Sequence, residues 1–159
     1  MPSPDRLHTL ARRQPWLSLF LKFLDRLRID SKEVAAEDER GSRLDLWNSQ
    51  RLALEQIAEG RAKGQHMVYV LKLRQGGIST LLLALLLFWV ATHPRTIAAL
   101  VCNTDKVRDT FRDTLNRFMA SFPPNFFGAS FKKDRHSSAH FLFTNGSRID
   151  YLVAGTRKV

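Results

Sequence analysis

Cysteine is almost absent from this sequence, and an apolar run long enough to cross a membrane is absent altogether. Cys102 is the single cysteine among 159 residues, so no internal disulfide can form, which fits a reducing compartment. The apolar run over residues 81–91 is shorter than the roughly 20 residues that a membrane-spanning helix needs. Residues 1–16 carry arginines but no uninterrupted apolar core of a secretory signal. The sequence therefore predicts a cytoplasmic protein that is neither secreted nor embedded in a membrane.

Acidic side chains are scarce relative to basic ones. The chain has 25 lysines and arginines against 15 aspartates and glutamates, which gives a net charge of +10. Such an excess favours a polyanionic partner, usually nucleic acid, although scattered arginines on an ordinary basic protein give the same total. Net charge does not separate DNA, RNA and an anionic membrane surface, so the partner has to be argued from motifs.

What the sequence does contain is an alternation of helical and strand patterns. Apolar residues at helical spacing predict helices, and short apolar runs between turn signals predict buried strands. In chain order, the predictions are a helix after Pro15, a polar connector over 31–43, a helix from about Asn48 to Gly64, a strand in HMVYVLKL (66–73), an apolar helix from about Ser79 to His93–Pro94, a strand over 96–103, a helix capped by Thr104, a basic loop over 121–138 and a hairpin at Asn145–Gly146. This order predicts the α/β class with a mainly parallel sheet flanked by helices, in which the first two strands form a right-handed crossover unit.

The stretch KLRQGGIST, Lys72 to Thr80, lies between the first predicted strand and the apolar helix. A phosphate-binding P-loop occupies the same position and is spelled G-x-x-x-x-G-K-[ST]. With Gly77 on the second glycine, Ser79 falls on the Ser/Thr position. Lys72 then stands in place of the first glycine, and Ile78 stands in place of the lysine. The stretch is therefore a degenerate P-loop or a tight strand-to-helix turn that binds nothing.

A triphosphate site at this turn would need backbone N–H donors, a metal ligand and a cation, each supplied by different residues. Gly76 and Gly77 permit the unusual backbone angles that point N–H groups at phosphates. The Ser79 hydroxyl would ligate Mg²⁺ at the start of the helix. Either Lys72, with its flexible stem, or Arg74, with a bidentate guanidinium, would neutralise the phosphates.

KLRQGGIST resembles the deviant P-loop of the large terminase subunit of tailed bacteriophages, the ATPase that drives viral DNA into the capsid. Members of that family often carry an RQ-x-G-x-[ST]-T core, and some have the lysine at the front of the motif, where Lys72 stands. LDLWNSQRLALEQIAEG resembles the upstream segment of the family, in which a glutamine contacts adenine, and Gln50 matches that glutamine. TIAALVCNTDKVRDTFRDTLNRF resembles the next strand-helix unit, and FTNGSRIDYLVAGTRK resembles the hairpin that follows. The likeness covers roughly residues 20–158.

The resemblance implies a P-loop NTPase-like fold of the ASCE or RecA-like type, with residues 1–43 as an N-terminal helical segment and connector and 44–159 as a partial ATPase domain. It implies ATP and Mg²⁺ as cofactors, with Ser79 as the metal ligand. The implied partners are double-stranded DNA, a small terminase subunit and a portal protein, in a homo-oligomer when complete, inside the cytoplasm of a bacterial host. The implied ATP-binding residues are Gln50, Lys72, Arg74, Gln75, Gly76, Gly77, Ile78, Ser79 and Thr80.

The chain also departs from the family pattern. The family continues to an apolar strand that ends in Asp-Glu, the Walker B pair that holds Mg²⁺ and orients water, and then to a nuclease domain. Here no glutamate follows Glu59, and no later aspartate ends an apolar strand beside a glutamate. Because phosphoryl transfer depends on positioning metal and water, we expect little ATP hydrolysis by this chain alone and assign no catalytic residue. A helicase-like P-loop ATPase fragment and a non-enzymatic basic nucleic-acid-binding module remain as alternatives.

Three further expectations concern packing. Cys102 is predicted to lie in the core, and Trp47 either packs or stacks on a base. An incomplete sheet is expected to expose strand edges and apolar surface. Arginines and aspartates on the helix after Thr104 recur at helical spacing and predict ion pairs on a solvated face: Asp105, Arg108, Asp109, Arg112, Asp113 and Arg117.

Overall fold

The computed structural model describes residues 4–29, 42–70, 77–120, 133–136 and 139–154. Within these ranges the protein belongs to the α/β class, as predicted, with five helices and two small sheets. The helices are α1 (Pro4–Arg13), α2 (Pro15–Leu24), α3 (Asn48–Ala62), α4 (Ile78–Thr92) and α5 (Asp105–Ala120). The strands are β1 (Arg28–Ile29), β2 (Ser42–Arg43), β3 (Ile97–Cys102), β4 (Lys133–His136), β5 (His140–Phe143) and β6 (Arg148–Val153).

Local sequence signals set most of the helix ends. Pro15 opens α2 at its first turn, where a missing N–H costs nothing. Thr104 caps α5, because its Oγ1 accepts a hydrogen bond of 3.3 Å from the N–H of Val107. α4 ends at Thr92, just before His93–Pro94. The predicted helices after Pro15, near Asn48, near Ser79 and after Thr104 are therefore confirmed, whereas α1 had not been predicted. Among the described helices, none combines the length and apolarity that a bilayer crossing requires.

The larger sheet is mixed, so the prediction of a mainly parallel sheet is wrong. Its strand order is β3-β6-β5-β4, and β1 pairs with β2 in a separate ladder. β3 and β6 run parallel, in a register that places Ala98 opposite Ile149, while β5 is antiparallel to both β6 and β4. The predicted hairpin at Asn145–Gly146 is confirmed by the β5–β6 pairing. The basic stretch expected to be loop contains β4 instead, and the end of the predicted connector pairs as β2.

The tip of the hairpin is tied to the end of α4. The Asn145 side chain donates a 2.8 Å hydrogen bond to the Val90 carbonyl, and its Oδ1 accepts one from the N–H of Ser147. The buried Ser147 hydroxyl donates to the His93 carbonyl at 3.0 Å and accepts from the Thr96 N–H at 3.1 Å. The Asn and Ser of the NGS stretch therefore hold the hairpin against the segment that joins α4 to β3.

The core lies on one side of this sheet. Residues of β3, β5 and β6 alternate between the two faces, and one set faces α4 and α5, which both contact β3. Beyond these helices, the rings of Phe20 and Phe23 in α2 lie 5.2 Å and 5.7 Å from that of Phe88 in α4. The opposite face is open, since Ile97 and Val101 are 63% and 66% exposed. Parallel strands are usually buried on both faces, so this one-sided cover is unusual.

The strand predicted in HMVYVLKL is not formed by the residues that the structure describes. Residues 66–70 are irregular and exposed, and residues 71–73 lie outside the described ranges. Because residues 66–70 form no strand, the predicted crossover between 66–73 and 96–103 is not formed over its described part, and β3 pairs in parallel with β6. The apolar run met the compositional rule for a buried strand, but a strand also needs a neighbouring strand to pair with, and local sequence does not specify that neighbour.

Candidate nucleotide-binding turn at the start of helix α4

Gly77 lies at the N-terminal boundary of α4 in a conformation that favours glycine. Its φ of 65° and ψ of 0° are left-handed, and its carbonyl accepts the first helical hydrogen bond, from Leu81. A Cβ at this position would lie only 2.6 Å from the Gln50 side-chain nitrogen. Both the backbone angle and the close neighbour therefore require glycine here.

Gln50 joins the start of α3 to the start of α4. The side chain is only 3% exposed, and its Nε2 donates a 2.8 Å hydrogen bond to the Gly77 carbonyl. Its Oε1 accepts a 2.9 Å bond from the N–H of Trp47, the residue before α3. This second bond is one half of a capping box, and Trp47 has no acceptor to complete the other half. The sequence paired these two segments only through the family resemblance, and the structure brings them into contact.

The surroundings of this contact favour an anion. The N-termini of α3 and α4 both lie at the Gln50–Gly77 hydrogen bond, and neither helix has an acidic residue in its first turn. Each helix N-terminus carries a partial positive charge equivalent to about half an elementary charge, together with backbone N–H groups that lack helical partners. Phosphate groups bind at helix N-termini for this reason.

The first turn of α4 explains one departure from the P-loop spelling. Ile78, which stands at the usual lysine position, is buried in the protein interior. Ser79 and Thr80 follow it and are partly exposed, so their hydroxyls are oxygen ligands of the kind that Mg²⁺ prefers. A lysine at position 78 could not occupy this apolar site without burying its charge, so a phosphate cation has to come from elsewhere.

The other predicted site residues are not all placed. Lys72, Arg74, Gln75 and Gly76 lie outside the described residues. No three His, Cys, Asp or Glu side chains meet in the part of the chain that the structure describes. The Mg²⁺ role of Ser79 and the phosphate contacts of Lys72 and Arg74 therefore remain predictions.

Trp47 is the side chain at this turn that sequence reasoning left undecided. It is 59% exposed, and its ring lies 3.6 Å from where a Cβ on Gly77 would be. Gln50, by contrast, has both polar atoms engaged and is almost inaccessible. An adenine ring could therefore stack on Trp47 with no change in packing, whereas contact with Gln50 would require its amide to turn outwards.

A second group of titratable side chains lies where α5 covers the ends of β3 and β6. Burial raises the pKa of the Cys102 thiol, an effect that nearby Arg108 partly opposes, so the thiol stays protonated at neutral pH. Burial also raises the pKa of Tyr151. The Tyr151 hydroxyl and Arg112 Nε are buried without a hydrogen-bond partner. This cluster has no activated nucleophile, and Cys102 belongs to the core, as predicted.

The charged face of α5 also agrees with expectation. Arg108 pairs with Asp105 at 2.5 Å and with Asp109 at 3.0 Å, and Arg112 lies 3.7 Å from Asp109. The hydrogen bond to Asp109 raises the pKa of Arg108. These arginines are engaged with aspartates on their own helix, which leaves them less available to phosphates.

The chain has been compared with protein-family models and with curated proteins, and neither comparison gives a match. The functional assignment therefore rests on the residues and their geometry.

Proposed function

We propose that this chain binds ATP at the Gly77 turn and represents the ATPase segment of a DNA-packaging motor of the large-terminase type. The observation that carries the proposal is the hydrogen bond from Gln50 to Gly77. It connects two segments 27 residues apart, each of which resembles a nucleotide-contacting motif of that family. If the resemblance of either segment were accidental, there would be no reason to expect the Gln50 segment to contact the Gly77 segment.

In this proposal, each part of the nucleotide has a place at the turn. The phosphates lie against the N-terminus of α4, where backbone N–H groups and the helix dipole favour negative charge. The adenine stacks on Trp47, and Lys72 or Arg74 supplies the cation that Ile78 does not. The Ser79 hydroxyl contributes one oxygen ligand to the Mg²⁺ that accompanies the triphosphate.

The wider parts of the proposal follow from the family resemblance. They are a P-loop NTPase-like arrangement, a role with viral DNA, a small terminase subunit and a portal protein in a bacterial cytoplasm, and weak hydrolysis by residues 1–159 alone. The net charge of +10 supports a second candidate, a basic nucleic-acid-binding module without ATP chemistry. The second candidate predicts DNA binding that is indifferent to ATP and Mg²⁺.

Equilibrium binding of a fluorescent ATP analogue with Mg²⁺ tests the proposal. Removing a charged phosphate contact costs about 1.5–3 kcal/mol, so we expect Lys72→Ala or Arg74→Ala to weaken binding by roughly 10- to 100-fold. Lys63→Ala is the matched control, because Lys63 is an exposed cation just after α3 and outside the motif. Equal binding by wild type and by both motif variants would refute the lysine-in-front arrangement, and no binding at all would refute the nucleotide site.

Trp47 offers a second, independent readout. A stacked base should quench the fluorescence of this exposed indole when unlabelled ATP is added. Trp47→Ala should abolish that quenching and weaken binding by about tenfold, since base–aromatic stacking is worth about 1–3 kcal/mol when the ring is removed. Trp16→Phe is the control, because Trp16 packs against Trp89 away from the turn.

A further inference from the structure

The free edge of β3 is the starting point. In the described part of the chain, β3 pairs with β6 on one side and with no strand on the other. An edge strand leaves alternate N–H and C=O groups unpaired, and these are a template for another strand. β3 is also apolar throughout, and its outward residues Ile97 and Val101 are exposed.

Beside this edge lies an apolar groove. Side chains of α2, α3 and α4, together with Ala98 of β3, line this groove, whose volume is about 310 Å³. The groove opens to the surface, so an apolar segment from outside can reach it. Its lining is almost wholly apolar and includes Trp16, Ile57, Leu82, Leu85, Trp89 and Ala98.

The one charge in the groove is already engaged. The Arg61 guanidinium lies 4.2 Å from the centre of one Trp89 ring and 5.7 Å from that of Trp16. This stacking satisfies Arg61 without a carboxylate. An uncharged apolar occupant therefore fits the groove better than an acidic one.

An apolar segment of suitable shape is exposed on the same molecule. Met67–Val70 is not helical, and all four side chains are exposed, with Met67 at 68% and Tyr69 at 89%. Contiguous apolar side chains in water commonly mark an interaction site. Each copy of the protein therefore presents one apolar segment and one empty apolar groove.

We propose that Met67–Val70 of one copy enters the groove of a second copy and adds as a strand to the free edge of β3. Strands pair about 4.8 Å apart, so an extended segment that pairs with β3 would lie beside Ala98, the β3 residue that lines the groove. Alternate side chains of the segment fill the cavity, and its backbone satisfies the open edge. When two copies exchange segments reciprocally about a two-fold axis, each donates once and accepts once, and the assembly closes as a symmetric dimer. This inference does not depend on nucleotide binding.

Sedimentation velocity over a range of protein concentrations tests the dimer. We expect the wild type to form a dimer whose population rises with concentration. The double variant Val68→Lys/Tyr69→Lys should associate at least about tenfold more weakly. It places one lysine on each face of the added strand, so one charge enters apolar surroundings and the other replaces an apolar contact. Gln65→Lys adds one lysine just outside the apolar segment and should leave association unchanged. Far-ultraviolet circular dichroism establishes that the variants remain folded.

A synthetic peptide of residues 65–72, QHMVYVLK, tests the groove directly. It should dissociate the dimer and change the fluorescence of the groove tryptophans, while a scrambled peptide of the same composition should do neither. A protein that stays monomeric at every concentration would overturn the proposal. A dimer indifferent to both the lysine substitutions and the peptide would also overturn it, by showing that the copies meet elsewhere.

Discussion

Gly77 and Gln50 fit together so closely that either one constrains the other. We predict that Gly77→Ala lowers the free energy of unfolding by about 2–4 kcal/mol, since it adds left-handed backbone strain and disturbs the Gln50 hydrogen bond. Gly64→Ala is the control, because Gly64 has a φ of 74° and no neighbour within 4 Å of an added Cβ. It should cost only the strain, about 1–2 kcal/mol. Urea unfolding measures both, and equal losses would mean that the Gln50 contact adds nothing.

Tyr151 carries a buried hydroxyl that has no hydrogen-bond partner among the residues that the structure describes. Replacing it by phenylalanine removes an unsatisfied polar atom and keeps the ring that packs on Phe141. We predict that Tyr151→Phe is neutral or stabilises the fold by up to about 1 kcal/mol. Thermal unfolding at neutral pH checks this, and a loss above about 1 kcal/mol would show that the hydroxyl has a partner.

The same residue predicts a pH dependence. Burial raises the pKa of both Tyr151 and Cys102 in the folded chain, so the unfolded chain releases these protons at a lower pH. The stability that these two raised pKa values contribute is therefore fully present below about pH 9 and is lost as the pH rises further. Tyr151→Phe should reduce that alkaline loss. Tyr69→Phe is the control at concentrations where the protein is monomeric, because Tyr69 is the other of the two tyrosines and is exposed in a single copy. An identical alkaline loss in Tyr151→Phe and wild type would contradict the assignment.

At the scale of elements, an arginine adds ion pairs to the apolar packing between α1 and α3. Arg6 pairs with Glu59 and lies 4.0 Å from the carboxylate of Glu55, which is buried on α3. We predict that Arg6→Ala lowers the free energy of unfolding by about 1–3 kcal/mol, because it leaves a buried carboxylate without its cation. Arg12→Ala, at an exposed position of α1, should change it by less than about 0.5 kcal/mol. Urea unfolding measures the loss of stability in both variants. Equal losses would mean that the ion pairs of Arg6 contribute nothing.

The elements that sequence reasoning found are those with local causes. α2, α3, α4 and α5 have helical periodicity and identifiable ends, and the β5–β6 hairpin has Asn145–Gly146 at its turn. α1 carries only three apolar side chains at helical spacing, Leu7, Leu10 and Ala11, and so short a pattern does not by itself predict a helix, although Leu7 and Ala11 are buried in the core. The strand predicted at 66–73 failed over its described residues because strand formation depends on a partner elsewhere in the chain. β4 was missed for the converse reason, since its charged sequence, KDRH, becomes a strand only beside β5.

The candidate site was predictable in a similarly uneven way. The glycine requirement at 77 follows from the turn, and the approach of Gln50 followed from the family resemblance. The accessibility of Trp47 could not be predicted, because it depends on how α3 lies against α4. The buried position of Ile78 likewise requires the fold, although its apolar character already argued against a lysine-like role.

At the scale of the whole molecule, net charge is the feature with the clearest consequence. With an excess of ten positive charges, the protein should bind double-stranded DNA by releasing counterions. Neutralising even two phosphates gives a log–log salt slope of about −1.8, so a fourfold rise in salt should weaken binding by about tenfold or more. Fluorescence anisotropy of a labelled duplex measures this slope. Affinity that does not change with salt would exclude an electrostatic DNA interface.

The pairing of β3 with β6 also determines when the fold can form. Ile97 pairs with Arg148, and the amide of Asn145 bonds to the carbonyl of Val90. On a ribosome that adds 5–20 residues per second, β3 and the end of α4 wait roughly 2.5–10 s for these partners to be made. During that interval the apolar helix α4 has been synthesised, but the hairpin that holds its C-terminal end has not. We therefore expect the nascent chain to need a chaperone before its last residues emerge.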